Sequence, residues 1–130
     1  MNVMVGYDGS TASKEALRSA RSHAKAFNAN VHVVRSMEGG DESRQEDILA
    51  AEKELEWCKS FVEKEGVPCD THLLIRGLGP GEDLVRFAIE RGIDEVFVGV
   101  KRRSRIGKML MGSNAQYVIL NAPCAVVTVK

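Results

Sequence analysis

The sequence predicts a single α/β domain built on an open, five-stranded parallel sheet with helices on both faces. Three observations carry this. Five short apolar or β-branched runs alternate along the chain with four segments whose apolar residues recur at helical spacing. Each helical segment supplies the long crossover that a parallel neighbour needs, and right-handed crossovers distribute the helices over both faces. A length of 130 residues with 44% apolar residues suits one domain, residues 1–130, with a real core.

The first strand is Asn2 to Gly6, a short apolar run. A helix follows from Ala12 to Phe27. Its stripe is Ala16, Leu17, Ala20, Ala24 and Phe27, and Ser10 or Thr11 can cap its start by accepting an orphan N–H. Asn30 to Met37 is β-branched and reads as the second strand, after which Gly39-Gly40 breaks the chain. Asp41 to Glu65 is a long charged helix with the stripe Ile48, Leu49, Leu55, Cys58, Phe61 and Val62, ended by Gly66 at a left-handed cap position. Pro68 to Ile75 is the third strand, with Pro68 where a missing donor is tolerated.

The loop Gly77-Leu78-Gly79-Pro80-Gly81 opens the third helix. Pro80 suits a first turn, Glu82 and Asp83 suit the positive end of the helix dipole, and Leu84, Val85, Ala88 and Ile89 form the buried face. Gly92 stops it. Asp94 to Gly99 is the fourth strand, Ser113 to Asn121 a short last helix, and Cys124 to Val129 the final strand.

Composition narrows the function classes. Net charge is +0, which argues against the broad basic face of a nucleic-acid-coating protein. No run approaches the roughly 20 apolar residues of a membrane span. The first residues enter a strand at once, so a signal peptide is not expected. Cys58, Cys69 and Cys124 are odd in number and lack metal-type spacing, which reads as reduced, buried thiols in a cytoplasmic protein.

Parallel α/β sheets bind ligands beyond the strand C-termini, where strand order reverses. Two loops stand there and would face each other. One is Tyr7-Asp8-Gly9-Ser10 after the first strand; the other runs from Gly99 to Ser113 after the fourth. Between Gly99 and Gly112 lie five Lys or Arg residues (101, 102, 103, 105 and 108) and no acid. A strand, a glycine-framed basic loop and a Gly-Ser helix start form an anion cradle, because unpaired N–H groups and the helix dipole both favour negative charge.

Catalysis has little support. Gly107-Lys108 lacks P-loop spacing, and Gly77 to Gly81 lacks the G-x-G-x-x-G pattern. No nucleophile elbow or Ser/His/Asp order stands out, no general base is visible beside the proposed phosphate site, and no catalytic residue is assigned. A slow ATPase is the most the chain suggests. His23 sits on the first helix, whereas His32 in the second strand and His72 in the third alternate with apolar residues and are read as facing neighbouring elements rather than a substrate.

Together these residues resemble the universal stress protein family, over essentially the whole chain. The resemblance rests on the first strand ending in Asp8-Gly9-Ser10 and on the nucleotide signature of Gly, two residues, Gly, nine residues, Gly, then Ser or Thr. Gly99, Gly112 and Ser113 match it in spacing, while Arg102 stands at the second glycine position. What the resemblance implies is strand order 3-2-1-4-5 in an adenine-nucleotide alpha-hydrolase-like fold, with ATP between the two loops. Gly6, Tyr7 and Asp8 would lie at the adenosine end, and Ser36 near the base. Val98 and Gly99 would let the backbone approach the nucleotide, and Gly112, Ser113, Asn114 and Ala115 would wrap the phosphates. Lys108 is placed to reach a β- or γ-phosphate as a point charge. Asp8 could help hold magnesium if ATP lies close to it.

Arg102 decides most. It can pair with a phosphate through its fork of donors or block the pocket. Left-handed geometry at this position would cost an arginine roughly 1–2 kcal/mol. The final strand, apolar from Cys124 to Val129, is poorly protected for an exposed edge. The family resemblance implies that it pairs with its copy in a two-fold homodimer. Two readings follow: an ATP-binding regulatory or stress-response module, or a nucleotide-independent dimeric interaction protein whose basic loop meets an acidic partner.

Overall fold

The computed structural model describes residues 1–38, 45–100 and 111–130. Nine elements follow in the order β1 (Asn2–Gly6), α1 (Thr11–Phe27), β2 (Asn30–Ser36), α2 (Gln45–Glu63), β3 (Cys69–Leu74), α3 (Pro80–Glu90), β4 (Glu95–Gly99), α4 (Ser113–Asn121) and β5 (Ala125–Val129). Every strand pairing is parallel and the sheet order is β3-β2-β1-β4-β5. The chain starts at the centre, winds outward through β2 and β3, then crosses back to build β4 and β5 on the other side.

Alternation along the central strands divides the core in two. Val3, Val5, Val31, Val33 and Phe97 pack against Ala16, Leu17 and Ala20 of α1 and Leu55, Cys58 and Val62 of α2. Met4, Val34, Val96 and Val98 point the other way, onto Leu84, Val85, Phe87 and Ala88 of α3 and Val118 of α4. Strands buried on both faces read as continuous apolar runs. Burial raises the pKa of Cys58 to about 11 and of Cys69 to about 12, so both thiols sit protonated in the core.

Helix faces are where the expected pattern shifts. The buried stripe of α2 is Ala51, Leu55, Cys58 and Val62, whose spacings of four, three and four set one narrow face. Leu49 lies off that face and is 59% exposed. Phe27 ends α1 at the left-handed cap Asn28 and points outward, and Ile89 of α3 does likewise. Phe87 and Asp83 are buried on α3 instead. Helix α2 ends at Glu63, two residues before the expected end, in a turn that closes at Gly66 (φ +76°). The expected start of that helix, Asp41 to Arg44, and the Gly39-Gly40 break lie outside the described residues.

Candidate functional site

Strands β1 and β4 are neighbours at the sheet centre, yet α1 packs on one face of the sheet and α4 on the other. Their C-terminal ends therefore diverge and leave a crevice between them, at the switch point of the fold.

On the β1 side the turn is tightly determined. Gly9 has φ +84°, a conformation glycine adopts without a Cβ penalty. Asp8 Oδ1 accepts the Ser10 N–H at 2.9 Å, and Ser10 Oγ caps α1 by accepting the Ser13 N–H at 3.1 Å. Ser13 in turn donates its hydroxyl to the Ser10 carbonyl at 2.9 Å. Burial tends to raise the Asp8 pKa. The hydrogen bonds from Ser10 and Ser13 and the charge of Arg35 outweigh it and hold the carboxyl below its ordinary value. Arg35 also pairs with Glu54 of α2, whose carboxylate stands beside Gly9.

On the β4 side, Gly112 is the N-cap of α4 and brings no side chain to the helix start. The first helical hydrogen bond here is Gln116 N–H to the Gly112 carbonyl at 3.0 Å. The amides of Ser113, Asn114 and Ala115 thus precede the helical ladder, as the first N–H groups of any helix do.

The crevice has two parts. An inner cavity of about 140 Å³ is walled by the apolar side chains of Val34, Leu84, Val98 and Val118, with Ser36 among them. An outer groove runs between Asp8, Ser10 and Thr11 at the start of α1 and Gly112, Ser113 and Asn114 at the start of α4. Ten residues expected from the sequence line one part or both: Gly6, Tyr7, Asp8, Ser36, Val98, Gly99, Gly112, Ser113, Asn114 and Ala115. Arg102 and Lys108 lie outside the described residues.

Several of these residues do something the sequence did not indicate. The Tyr7 ring is buried in the core on the α1/α2 side and its hydroxyl bonds Cys58; burial, the largest cause, raises its pKa. The Asn114 side chain is engaged, its Oδ1 accepting the Gly81 N–H at 2.9 Å and tying α4 to α3. At Gly99 a Cβ would stand 2.4 Å from the Ala12 carbonyl carbon, so the close approach it permits is between β4 and the start of α1.

Ser36 is held from behind by a buried carboxylate. Asp83 is fully buried; its Oδ2 accepts the Ser36 hydroxyl at 2.7 Å and its Oδ1 accepts Arg76 Nε at 2.7 Å. Arg76 also reaches Glu90 at 2.8 Å. In the sequence Asp83 is one of two acids at a helix start, and nothing local separates it from exposed Glu82. Of the apolar wall, Val98 was assigned to the site from the sequence, whereas Val34, Leu84 and Val118 were not, although Leu84 was legible as a buried position on α3.

The histidines stay away from the cleft. His32 Nδ1 and His72 Nε2 are 3.1 Å apart across β2 and β3, beside Phe87, and His23 pairs with Glu95 at 3.1 Å. Among the described residues, no group of three or more His, Cys, Asp or Glu is placed to hold a metal ion. No described helix is long and apolar enough to cross a membrane.

An all-parallel sheet wound to both sides, with a crevice at the switch point, defines a doubly wound α/β protein. Comparison with known proteins gives the family. The model of the universal stress protein family matches residues 1–130. A universal stress protein of Methanocaldococcus jannaschii is 31% identical over 139 residues, covering 98% of this chain and 81% of the relative. One from Thermus aquaticus is 29% identical, covering 98% and 97%. Among solved structures, a universal stress protein from Archaeoglobus fulgidus superposes with a TM-score of 0.91 at 37% identity, covering 100% of this chain and 98% of the other. A universal stress protein from the same organism in complex with dAMP gives 0.83 at 34% identity, with coverage of 100% and 98%. The chain belongs to the universal stress protein family.

Proposed function

We propose that the crevice binds an adenine nucleotide, ATP in the working protein, and that the chain acts as a nucleotide-binding regulatory module of the stress response. One observation carries the reading most. A small apolar cavity opens into a groove flanked by the starts of two helices, a shape that suits a base with a phosphate tail. The base would enter between Val34, Leu84 and Val98, and the phosphates would follow the groove towards the amides of Ser113, Asn114 and Ala115. The Archaeoglobus relative solved with dAMP supports the same ligand class. In this reading Lys108 and Arg102 act on the phosphates, with magnesium near Asp8. Among the described residues the groove is lined by capping and turn groups. Its one carboxyl, Asp8, is held below its ordinary pKa despite burial by Ser10, Ser13 and Arg35, which makes it a weak base and favours binding over hydrolysis.

Calorimetric titration of the nucleotide-stripped protein with ATP tests this. Saturable binding is expected, and no heat at millimolar ATP refutes it. Arg102→Gly restores the family signature; a gain in affinity identifies Arg102 as an obstacle, and a loss identifies it as a phosphate ligand. We also propose a homodimer formed through β5 and the preceding Cys124, in the cytoplasm. It is supported by the apolar edge of the sheet and by the exposed Tyr117 and Leu120 of the adjoining α4.

A further inference from the structure

Asp83 lies behind the wall of the cavity and outside its lining, yet it governs what one lining group can offer. A carboxylate paired with a guanidinium only accepts hydrogen bonds. Asp83 already takes Arg76 on one oxygen and Ser36 on the other, at 2.7 Å each. The single hydrogen of the Ser36 hydroxyl is therefore committed to Asp83. What Ser36 presents to the inner cavity is oxygen lone pairs. The adjoining side chains, Val34, Leu84, Val98 and Val118, have no donor of their own.

We infer that Asp83 is a positioning residue that fixes Ser36 as a hydrogen-bond acceptor, so that the cavity selects a base bearing an amino donor over the same base bearing a carbonyl. The inference rests on the nucleotide reading above and adds the residue pair that would set base discrimination. A carbonyl facing Ser36 sets acceptor against acceptor and leaves both oxygens without a partner on leaving water, which is the costly side of hydrogen bonding. Arg76 belongs to the same device: it pairs with Oδ1 of the buried carboxylate and leaves Oδ2 to the Ser36 hydroxyl.

AMP and IMP bring the effect out: the amino donor at C6 of AMP is a carbonyl in IMP, where N1 carries a hydrogen instead. Purine riboside monophosphate, which lacks the amino group but keeps N1 as an acceptor, separates the two changes by binding more weakly than AMP if the amino donor is what Ser36 reads. The wild-type protein is expected to bind AMP about tenfold or more tightly than IMP. Ser36→Ala should bring the two affinities together, and Ser36→Thr, which keeps the hydroxyl, should restore the preference. Asp83→Asn can donate to the Ser36 oxygen and free its hydrogen to turn into the cavity, so its AMP/IMP ratio should fall or invert. A loss of stability alone would not invert that ratio. Equal affinities in the wild type, or an undiminished ratio in Ser36→Ala, overturn this inference and leave the nucleotide reading standing. Binding of neither ligand overturns both. Because Ser36→Ala removes only a half-buried hydroxyl, it decides the matter even if Asp83→Asn fails to fold.

Discussion

Gly99 shows how a residue chosen for a ligand signature can be demanded by the fold itself. The site a Cβ would need is filled by backbone: the Ala12 carbonyl carbon at 2.4 Å, its oxygen at 2.5 Å and the Ser13 nitrogen at 2.7 Å. Backbone cannot step aside by changing rotamer, so Gly99→Ala must push the start of α1 off the sheet. Overpacking of this kind costs about 1–3 kcal/mol. We expect a lower urea midpoint in the absence of any nucleotide. An unchanged midpoint would mean that α1 yields freely. Asp83 makes a complementary point. The residue types at the cleft were readable from the two loops, since glycines, Asp8 and Ser113 recur where helices start and phosphates bind. The Ser36–Asp83 contact joins residues 47 positions apart on different elements, and no local pattern encodes it.

At the level of elements, strands β2 and β3 meet through a pair of imidazoles. His32 and His72 stack 5.3 Å apart between centroids, with Phe87 of α3 against both rings. Burial, the largest cause, lowers both pKa values below the ordinary 6.5; Arg91 lowers both further, and Asp70 opposes the shift. His72 is lowered also by His32, and Asn2 Oδ1 lies 3.4 Å from His32 Nε2. The unfolded chain therefore binds protons near pH 6.5 that the folded chain still refuses. Stability is full above that pH and falls as the pH drops from 6.5 towards the folded values. Asp8, whose pKa is also lowered, acts in a separate window below about 4. Urea midpoints between pH 7.5 and 5 should decline in the wild type and decline less in His72→Gln; equal slopes would exclude the pair. Strand and helix existence was legible because β1 and β4 are short apolar runs and because Ser10, Gly66 and Pro80 mark helix ends. Helix azimuth was less so. Leu49, Phe27 and Ile89 fit an apolar stripe by spacing but sit outside the narrower face that the sheet covers.

The whole molecule leaves two sheet edges, β3 and β5, and they differ in kind. Strand β3 starts after Pro68 and carries Asp70, whereas β5 is Ala-Val-Val-Thr-Val, with Leu120 of α4 80% exposed beside its approach. Long apolar edges invite pairing with another chain. Its geometry also shows which groups are available. The Val129 carbonyl accepts the Val100 N–H at 2.8 Å, so it faces inward to β4. Alternation along the strand turns the backbone groups of Val127 and Ala125 the same way and those of Val126 and Thr128 outward. A two-fold axis beside this edge would pair β5 antiparallel with its copy and satisfy those outward groups isologously. Thr128 is exposed, and proline there removes an outward donor while sparing the ladder to β4. Sedimentation equilibrium should give the mass of a dimer that dissociates on dilution, and Thr128→Pro should give a monomer with an unchanged far-UV spectrum. A monomer mass for the wild-type protein at every concentration would refute pairing through β5, and a Thr128→Pro variant that stays dimeric would move the interface to another face.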